Sequence, residues 1–174
     1  MKTVLKMAPL YVYTASAERR RTMTRASESR VLEYPPAAAR FAAEHFRETL
    51  ARSTDPSDVA ADLESGTPPF VVVDARSPEA YASGHVPGAV SLPHRTIDAA
   101  TTAGLSTDMP VVVYCDGTHC NGSTKAAVRL SELGFLVKEM IGGLDGWIRD
   151  GFAVEKGFAR NERDDSAENA MCGC

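Results

Sequence analysis

Two valine runs, FVVVD (70–74) and VVVY (111–114), constrain the fold more than any other feature of the chain. Neither alternates apolar with polar residues, so neither reads as a strand with one wet face. A continuous β-branched run of this length reads as a strand buried on both faces, the habit of parallel sheets covered by helices. The segments around them alternate accordingly. DPSDVAADLESG (55–66) predicts a helix capped by Thr54 or Asp55, with Pro56 at its first position and Gly66 at its end. SPEAYASG (77–84) predicts a short helix capped by Ser77, AVSLP (89–93) a short strand, and HRTIDAATTAG a loop or helix. STKAAVRLSELG (123–134) predicts a helix ended by Gly134, FLVKEM (135–140) a strand, and LDGWIRDG (144–151) a last helix. Strands separated by helices mean βαβ units and an α/β class. Upstream, PPAAARFAAEHFRETL predicts a leading helix over 35–52, with Pro35 and Pro36 in its first turn. Phe41, His45 or Phe46, and Leu50 share one face of it, and LARST after it reads as an edge strand.

The chain has 174 residues, enough for one domain, expected over 35–155 between an N-terminal extension (1–34) and an acidic, disordered tail (156–174). Its 44% hydrophobic and 24% charged residues match a soluble globular protein. A net charge of −4 argues against a nucleic-acid partner, which calls for a basic face. No apolar run reaches the ~20 residues of a membrane span, so no membrane partner is expected. The start, MKTVLKMAPLYVYTASAERRR, has an A-x-A-like ASA, but Lys6, Pro9 and the arginines after it disfavour an export signal. Met23 makes residues 1–22 readable as an upstream extension.

The four cysteines fall in two close pairs, Cys115/Cys120 and Cys172/Cys174. Neither has zinc-site spacing, so no metal and no cofactor are expected. So few cysteines in such a chain suit a reducing compartment, the cytoplasm, with thiols in chemical use.

Cys115 ends the second valine run. Ligands of open α/β sheets bind beyond the carboxyl ends of strands. The loop behind it, DGTHCNG, carries Gly117 and Gly122, which let successive amides turn inward as an anion-binding nest. The helix that follows adds unpaired N–H groups and the positive end of its dipole. Such surroundings favour a thiolate, the nucleophilic form. Taken alone, a cysteine after an apolar strand is more often a small buried hydrophobe; the loop and helix shift the balance toward chemistry.

VVVDARSPEAYASGHVPGAVSLP resembles the D-x-R-x-x-x-E…G-H-(I/V)-P-G-A signature of the rhodanese family, and VVVYC…AAVRLSELGF with IGGLDGW resembles its second half. The resemblance covers roughly residues 50 to 154. It implies a rhodanese-like parallel five-stranded sheet with helices on both faces. It also implies a sulfurtransferase in which Cys115 takes sulfane sulfur from a small donor, holds it as a persulfide and passes it to a thiol acceptor. The amides of Asp116, Gly117, Thr118, His119, Cys120, Asn121 and Gly122 match the family's cradle for that sulfur. Asp74, Arg76 and Glu79 match the first motif in a structural role, with Arg76 pairing Glu79. His85, Pro87 and Gly88 shape the next turn, Gly142 and Gly143 open the last helix, and Trp147 anchors the core.

The chain departs from the family in its loop. The common form is C-x-x-G-x-R-S, whereas the loop here is about two residues longer and holds no arginine. Asn121, six after Cys115, carries no charge, which argues against a phosphatase or arsenate reductase of the C-x5-R type. The missing arginine also weakens the case for thiosulfate as donor. His119 and Lys125 are cations near the loop that match no family position. Cys120 reads either as a resolving thiol for Cys115 or as a small apolar plug under the loop. Two alternatives to a sulfurtransferase therefore stand: a thiol redox enzyme or sensor using the Cys115–Cys120 pair, and a non-catalytic module on the same scaffold. Helix 35–52 is the expected surface for a homodimer.

Overall fold

The second valine run is the central strand of a five-stranded sheet, and all four of its residues are buried. The computed structural model describes residues 29–157. The strands are β1 (Ser53–Thr54), β2 (Val71–Asp74), β3 (Val90–Ser91), β4 (Val111–Tyr114) and β5 (Val137–Met140), in the order β1-β5-β4-β2-β3. Every neighbouring pair is parallel. The two valine runs lie side by side in register, from Val71 opposite Val111 to Asp74 opposite Tyr114.

Alternation along these runs sends successive side chains to opposite faces, and both faces are covered. Val72, Val112 and Tyr114 pack with Val59 of α2 (Pro56–Glu64), Tyr81 of α3 (Pro78–Ser83), and Leu144 and Trp147 of α5 (Gly143–Arg149). Val73, Val111 and Val113 pack with Ala126 and Leu130 of α4 (Gly122–Glu132). The doubly covered parallel sheet expected from the sequence is the one observed, and it directs β4's C-terminal end into the loop that starts at Cys115.

Local signals set most element ends. Asp55, rather than Thr54, caps α2 by accepting the Asp58 N–H at 2.9 Å. Ser77 caps α3 through the Ala80 N–H at 3.3 Å. Gly134 follows α4 with φ +92°, the left-handed residue that closes a helix.

The chain divides at His45/Phe46 into two compact units. Helix α1 (Ala39–Arg52) starts later than expected, after both prolines rather than on them. Ala38 supplies the first accepting carbonyl, to Phe41 and Ala42. A residue preceding a proline is disfavoured in the helical region, which keeps Tyr34 and Pro35 out of the helix but does not by itself account for Pro36, Ala37 and Ala38 lying outside it. The helix buries none of its residues; Phe41 and Leu50 are exposed, as is Phe46. It also absorbs the LAR of LARST, leaving only Ser53–Thr54 as the edge strand beside β5. The expectations for residues 1–28 and for the tail, including Cys172 and Cys174, lie outside the described residues.

Candidate active site

Cys115 is the first residue past β4 and is only 4% exposed. Its carbonyl and that of Asp116 are held by the first turn of α5: Leu144 N–H donates to Cys115 O at 2.9 Å and Asp145 N–H to Asp116 O at 2.7 Å. This close approach is why the last helix opens on two glycines. Gly142 and Gly143 have φ +81° and +57°, and a Cβ on Gly143 would overlap Cys115 O. The glycine pair therefore lets one helix end dock onto the backbone of the candidate nucleophile.

On the opposite side, α4 begins at Gly122. A Cβ there would stand 2.7 Å from Cys115 Sγ, 3.4 Å from Cys120 Sγ and 3.5 Å from His94 Nδ1. Only a residue without a side chain leaves room for both sulfurs at this helix end. Asn121, at the N-cap, makes no side-chain cap bond; the Gly122 N–H instead donates to Cys120 Sγ at 3.4 Å. Ser123 does not face the sulfurs either. Its hydroxyl donates to Glu139 Oε1 of β5 at 2.6 Å, and Thr124 donates to the same oxygen at 3.0 Å, fastening α4 to the sheet.

The two sulfurs are joined as a Cys115–Cys120 disulfide with Cα atoms 6.4 Å apart, a separation within the usual range for such bonds. The two sulfurs thus lie within bonding reach of each other, the arrangement that a resolving role for Cys120 requires. Cys115, Asp116 and Cys120 also lie close enough to share a metal ion. In the disulfide neither sulfur is a thiolate ligand, so the trio is not a metal site in this state.

The loop amides expected as a cradle differ in whether an acceptor already holds them. Among the described residues the N–H groups of Gly117, Thr118, His119 and Asn121 find no acceptor. Cys120 N–H is spent on Gly117 O at 3.0 Å, and Gly122 N–H on the Cys120 sulfur. The loop borders a pocket of about 350 Å³ lined by residues that include Thr118, Cys120, Asn121, Ser123, Thr124 and Glu139. Neither Cys115 nor any lysine or arginine lines it. Cys120, half-buried, is the sulfur that faces this space.

Beneath the loop the first motif forms a buried ionic knot. Asp74, fully buried, accepts from Arg76 N–H at 2.9 Å, from Arg76 Nη2 at 2.6 Å and from the Tyr114 hydroxyl at 2.7 Å. Arg76 Nη2 also donates to Gly84 O at 2.6 Å, and its Nη1 reaches Asp116 Oδ1 at 3.5 Å. Burial works to lower the Arg76 guanidinium, but the hydrogen bond to Asp74 and the charges of Asp74 and Asp116 carry it above its ordinary value. Burial and the Asp74 charge push the Tyr114 phenol well up, keeping it a proton donor. Its oxygen in turn accepts the Val86 N–H at 3.0 Å. Arg76 therefore pairs with Asp74, not with Glu79 as expected. Glu79 is exposed in the first turn of α3, where a hydrogen bond with Ser77 and one with its own backbone lower its carboxyl.

The remaining motif residues pack away from the sulfurs, into the core. His85 is buried, stacks on Tyr81 with ring centroids 3.7 Å apart, and places Nδ1 2.9 Å from Tyr81 O. Trp147 is buried and donates Nε1–H to Ala153 O at 2.7 Å. His119 and Lys125 are exposed, and Arg129 turns away to donate to His94 O at 2.7 Å. Sequence reasoning missed His94, Glu139 and Asp145. The last presses its carboxylate on Gly117, where an added Cβ would meet Asp145 Oδ2 at 2.5 Å. The only sequence trace of that contact is the glycine itself.

Fold and site together define a class: parallel α/β domains that seat a cysteine beyond the central strand, between a polar loop and a helix N-terminus. Comparison with known proteins narrows it. The family model of the rhodanese-like domain matches residues 55–150. The chain belongs to the rhodanese-like domain family. It is 43% identical over 79 residues to thiosulfate sulfurtransferase GlpE of Pseudomonas entomophila, covering 44% of this chain and 69% of that protein. It is 34% identical over 86 residues to the HTH-type transcriptional regulator Rv0324 of Mycobacterium tuberculosis, covering 49% of this chain but only 38% of the regulator. Among solved structures, the BH2092 protein of Bacillus halodurans superposes with a TM-score of 0.67 at 39% identity, covering 68% of this chain and 87% of that one. Among the described residues no helix is long and apolar enough to cross a membrane.

Proposed function

We propose that the chain is a sulfurtransferase that carries sulfane sulfur as a persulfide on Cys115 and hands it to a small thiol acceptor in the cytoplasm. The observation that carries this reading is the seat of Cys115: fixed by its backbone to α5 and fitted by its sulfur against the side-chain-free start of α4. A thiolate there lies beside loop amides that have no internal acceptor and at the positive end of a helix. Attack on the sulfane sulfur of a donor forms the Cys115 S–S bond and expels the donor's remainder. The resulting persulfide gives its outer sulfur to the acceptor and returns the thiolate.

The pocket's lining bears on the donor. Glu139 and His119 line it, no lysine or arginine does, and Asp116 lies with its carboxylate 4.0 Å from Cys115 Sγ. With two carboxylates nearby and no lysine or arginine in the lining to offset a second charge, singly charged donors, organic persulfides and thiosulfonates, suit it better than a dianion such as thiosulfate. The experiment is a panel of donors given to the reduced protein with a thiol acceptor in excess. Turnover lost in Cys115→Ser supports the reading, and turnover retained in that variant removes it.

A second reading, a thiol–disulfide enzyme, is favoured by the Cys115–Cys120 bond itself. It predicts reversible disulfide cycling with thiol substrates and no transfer of sulfur from any donor on the panel.

A further inference from the structure

We propose that Cys120 discharges the Cys115 persulfide as hydrogen sulfide, giving the protein a sulfane-sulfur reductase activity beside sulfur transfer. The inference rests on the reading of Cys115 as the persulfide carrier. Its ground is that the two sulfurs share one seat. Both lie within 3.4 Å of a single point above Gly122, and they are bonded to each other. A sulfur added to Cys115 is therefore formed beside a second thiol already within bonding reach of the inner sulfur.

The steps balance without an outside oxidant. A Cys115 thiolate attacks the sulfane sulfur of a thiosulfonate, RSO2–S⁻, giving Cys115–S–S⁻ and the sulfinate RSO2⁻. The Cys120 thiol then attacks the inner sulfur, Cys115 Sγ. The Sγ–Sγ bond forms, the Cys115 S–S bond breaks, and the outer sulfur leaves as HS⁻ with the proton of Cys120. The two thiols lose two electrons and the sulfane sulfur gains them. The product is the disulfide present in the structure. The Gly122 N–H directed at Cys120 Sγ lies where it stabilises negative charge on that sulfur, which helps the attack.

The same geometry decides how the disulfide is reopened. Cys115 is 4% exposed and does not line the pocket, whereas Cys120 does. A small thiolate entering the pocket reaches Cys120 Sγ, forms the mixed disulfide there and expels Cys115 as thiolate. A second thiol frees Cys120 as RSSR is released. The carrier is thus restored before the resolving residue.

The test is a single turnover of pre-reduced, desalted protein with methanethiosulfonate anion and no added thiol. This donor leaves as a sulfinate, so no by-product thiol releases sulfide on its own. The wild type is expected to give one sulfide per chain and an intact mass about 2 Da below the reduced form, the loss of two hydrogens on disulfide formation. Cys120→Ser is expected to give no sulfide and to hold an adduct of about 32 Da, one sulfur atom, on Cys115. Cys115→Ser is expected to give neither. If the wild type also retains the adduct without releasing sulfide, the resolving role falls while the sulfurtransferase reading stands. If Cys120→Ser takes up no sulfur on Cys115, both fall. With limiting labelled thiol added to the disulfide form, the mixed disulfide is expected on Cys120; a label on Cys115 overturns the assignment of the attacked sulfur.

Discussion

Replacing Gly122 with alanine asks whether the sulfur of Cys115 is seated against the first residue of α4. The new Cβ would stand 2.7 Å from Cys115 Sγ, with Cys120 Sγ at 3.4 Å and His94 Nδ1 at 3.5 Å. A carbon and a sulfur in ordinary contact need about 3.5–4 Å, so something must give by roughly 1 Å. Backbone strain plays no part, because Gly122 does not have a positive φ. Alanine at a compatible glycine position gains about 0.4–1 kcal/mol through the unfolded chain, while overpacking costs about 1–3 kcal/mol. The expected net loss is about 1–2 kcal/mol in urea unfolding of the reduced protein. The effect on chemistry is larger, since a displacement of about 1 Å at a reacting group costs about 10²-fold. The assay is the rate of sulfur uptake from methanethiosulfonate, read by rapid-quench mass spectrometry. Gly134→Ala is the control: φ is +92° there and a Cβ meets nothing within 4 Å. It is expected to lose about 1–2 kcal/mol of stability through left-handed strain with the uptake rate unchanged. Uptake at the wild-type rate in Gly122→Ala refutes the seat.

Three further outcomes follow from the site's surroundings. Asp74→Asn leaves the Arg76 guanidinium buried without its counter-charge, so unfolding free energy should fall by about 3–5 kcal/mol; a loss under 1 kcal/mol in urea titration contradicts the ionic knot. Tyr114 has its folded pKa raised above the ordinary 10.0, so its contribution is complete below pH 10 and is lost as pH rises toward the folded value. Unfolding free energy should drop by up to about 1.4 kcal/mol per pH unit above pH 10 from this group alone, and Tyr114→Phe should flatten that decline; equal slopes in the two proteins speak against it. Glu139→Gln removes a charge from the pocket while keeping an acceptor for Ser123 and Thr124. Its kcat/KM ratio for thiosulfate over methanethiosulfonate should rise about threefold or more, and an unchanged ratio removes the electrostatic argument about donors.

The sheet was legible because its signals are local. Unbroken valine runs exclude a wet face, and Ser77, Asp55 and Gly134 punctuate helices by chemistry that acts within a few residues. Cys115 was legible for the same reason, being the residue on which a buried strand stops. What local pattern did not carry was the choice of side-chain partner, near or far. Arg76 found Asp74 and, forty residues on, Asp116, because a buried guanidinium takes the buried carboxylate available to it; the motif spacing had suggested Glu79, which points to solvent. Gly117, expected to free the loop amides, and Gly143, expected to open the last helix, also leave room for the Asp145 carboxylate and for Cys115 O, which come from distant segments. Prolines fit a first helical turn but do not compel one, and α1 begins three residues after Pro36. Cys120 stood as a question in the sequence, since spacing alone leaves the path of a glycine-bearing loop open.

The central claim is that Cys115, and no other cysteine, carries transferable sulfur. Its most direct measurement is peptide mapping of the reduced Cys120→Ser protein after exposure to methanethiosulfonate and alkylation. An added sulfur is expected on the peptide holding Cys115, discharged when a thiol acceptor is supplied. An unmodified Cys115, or sulfur found only on Cys172 or Cys174, contradicts it.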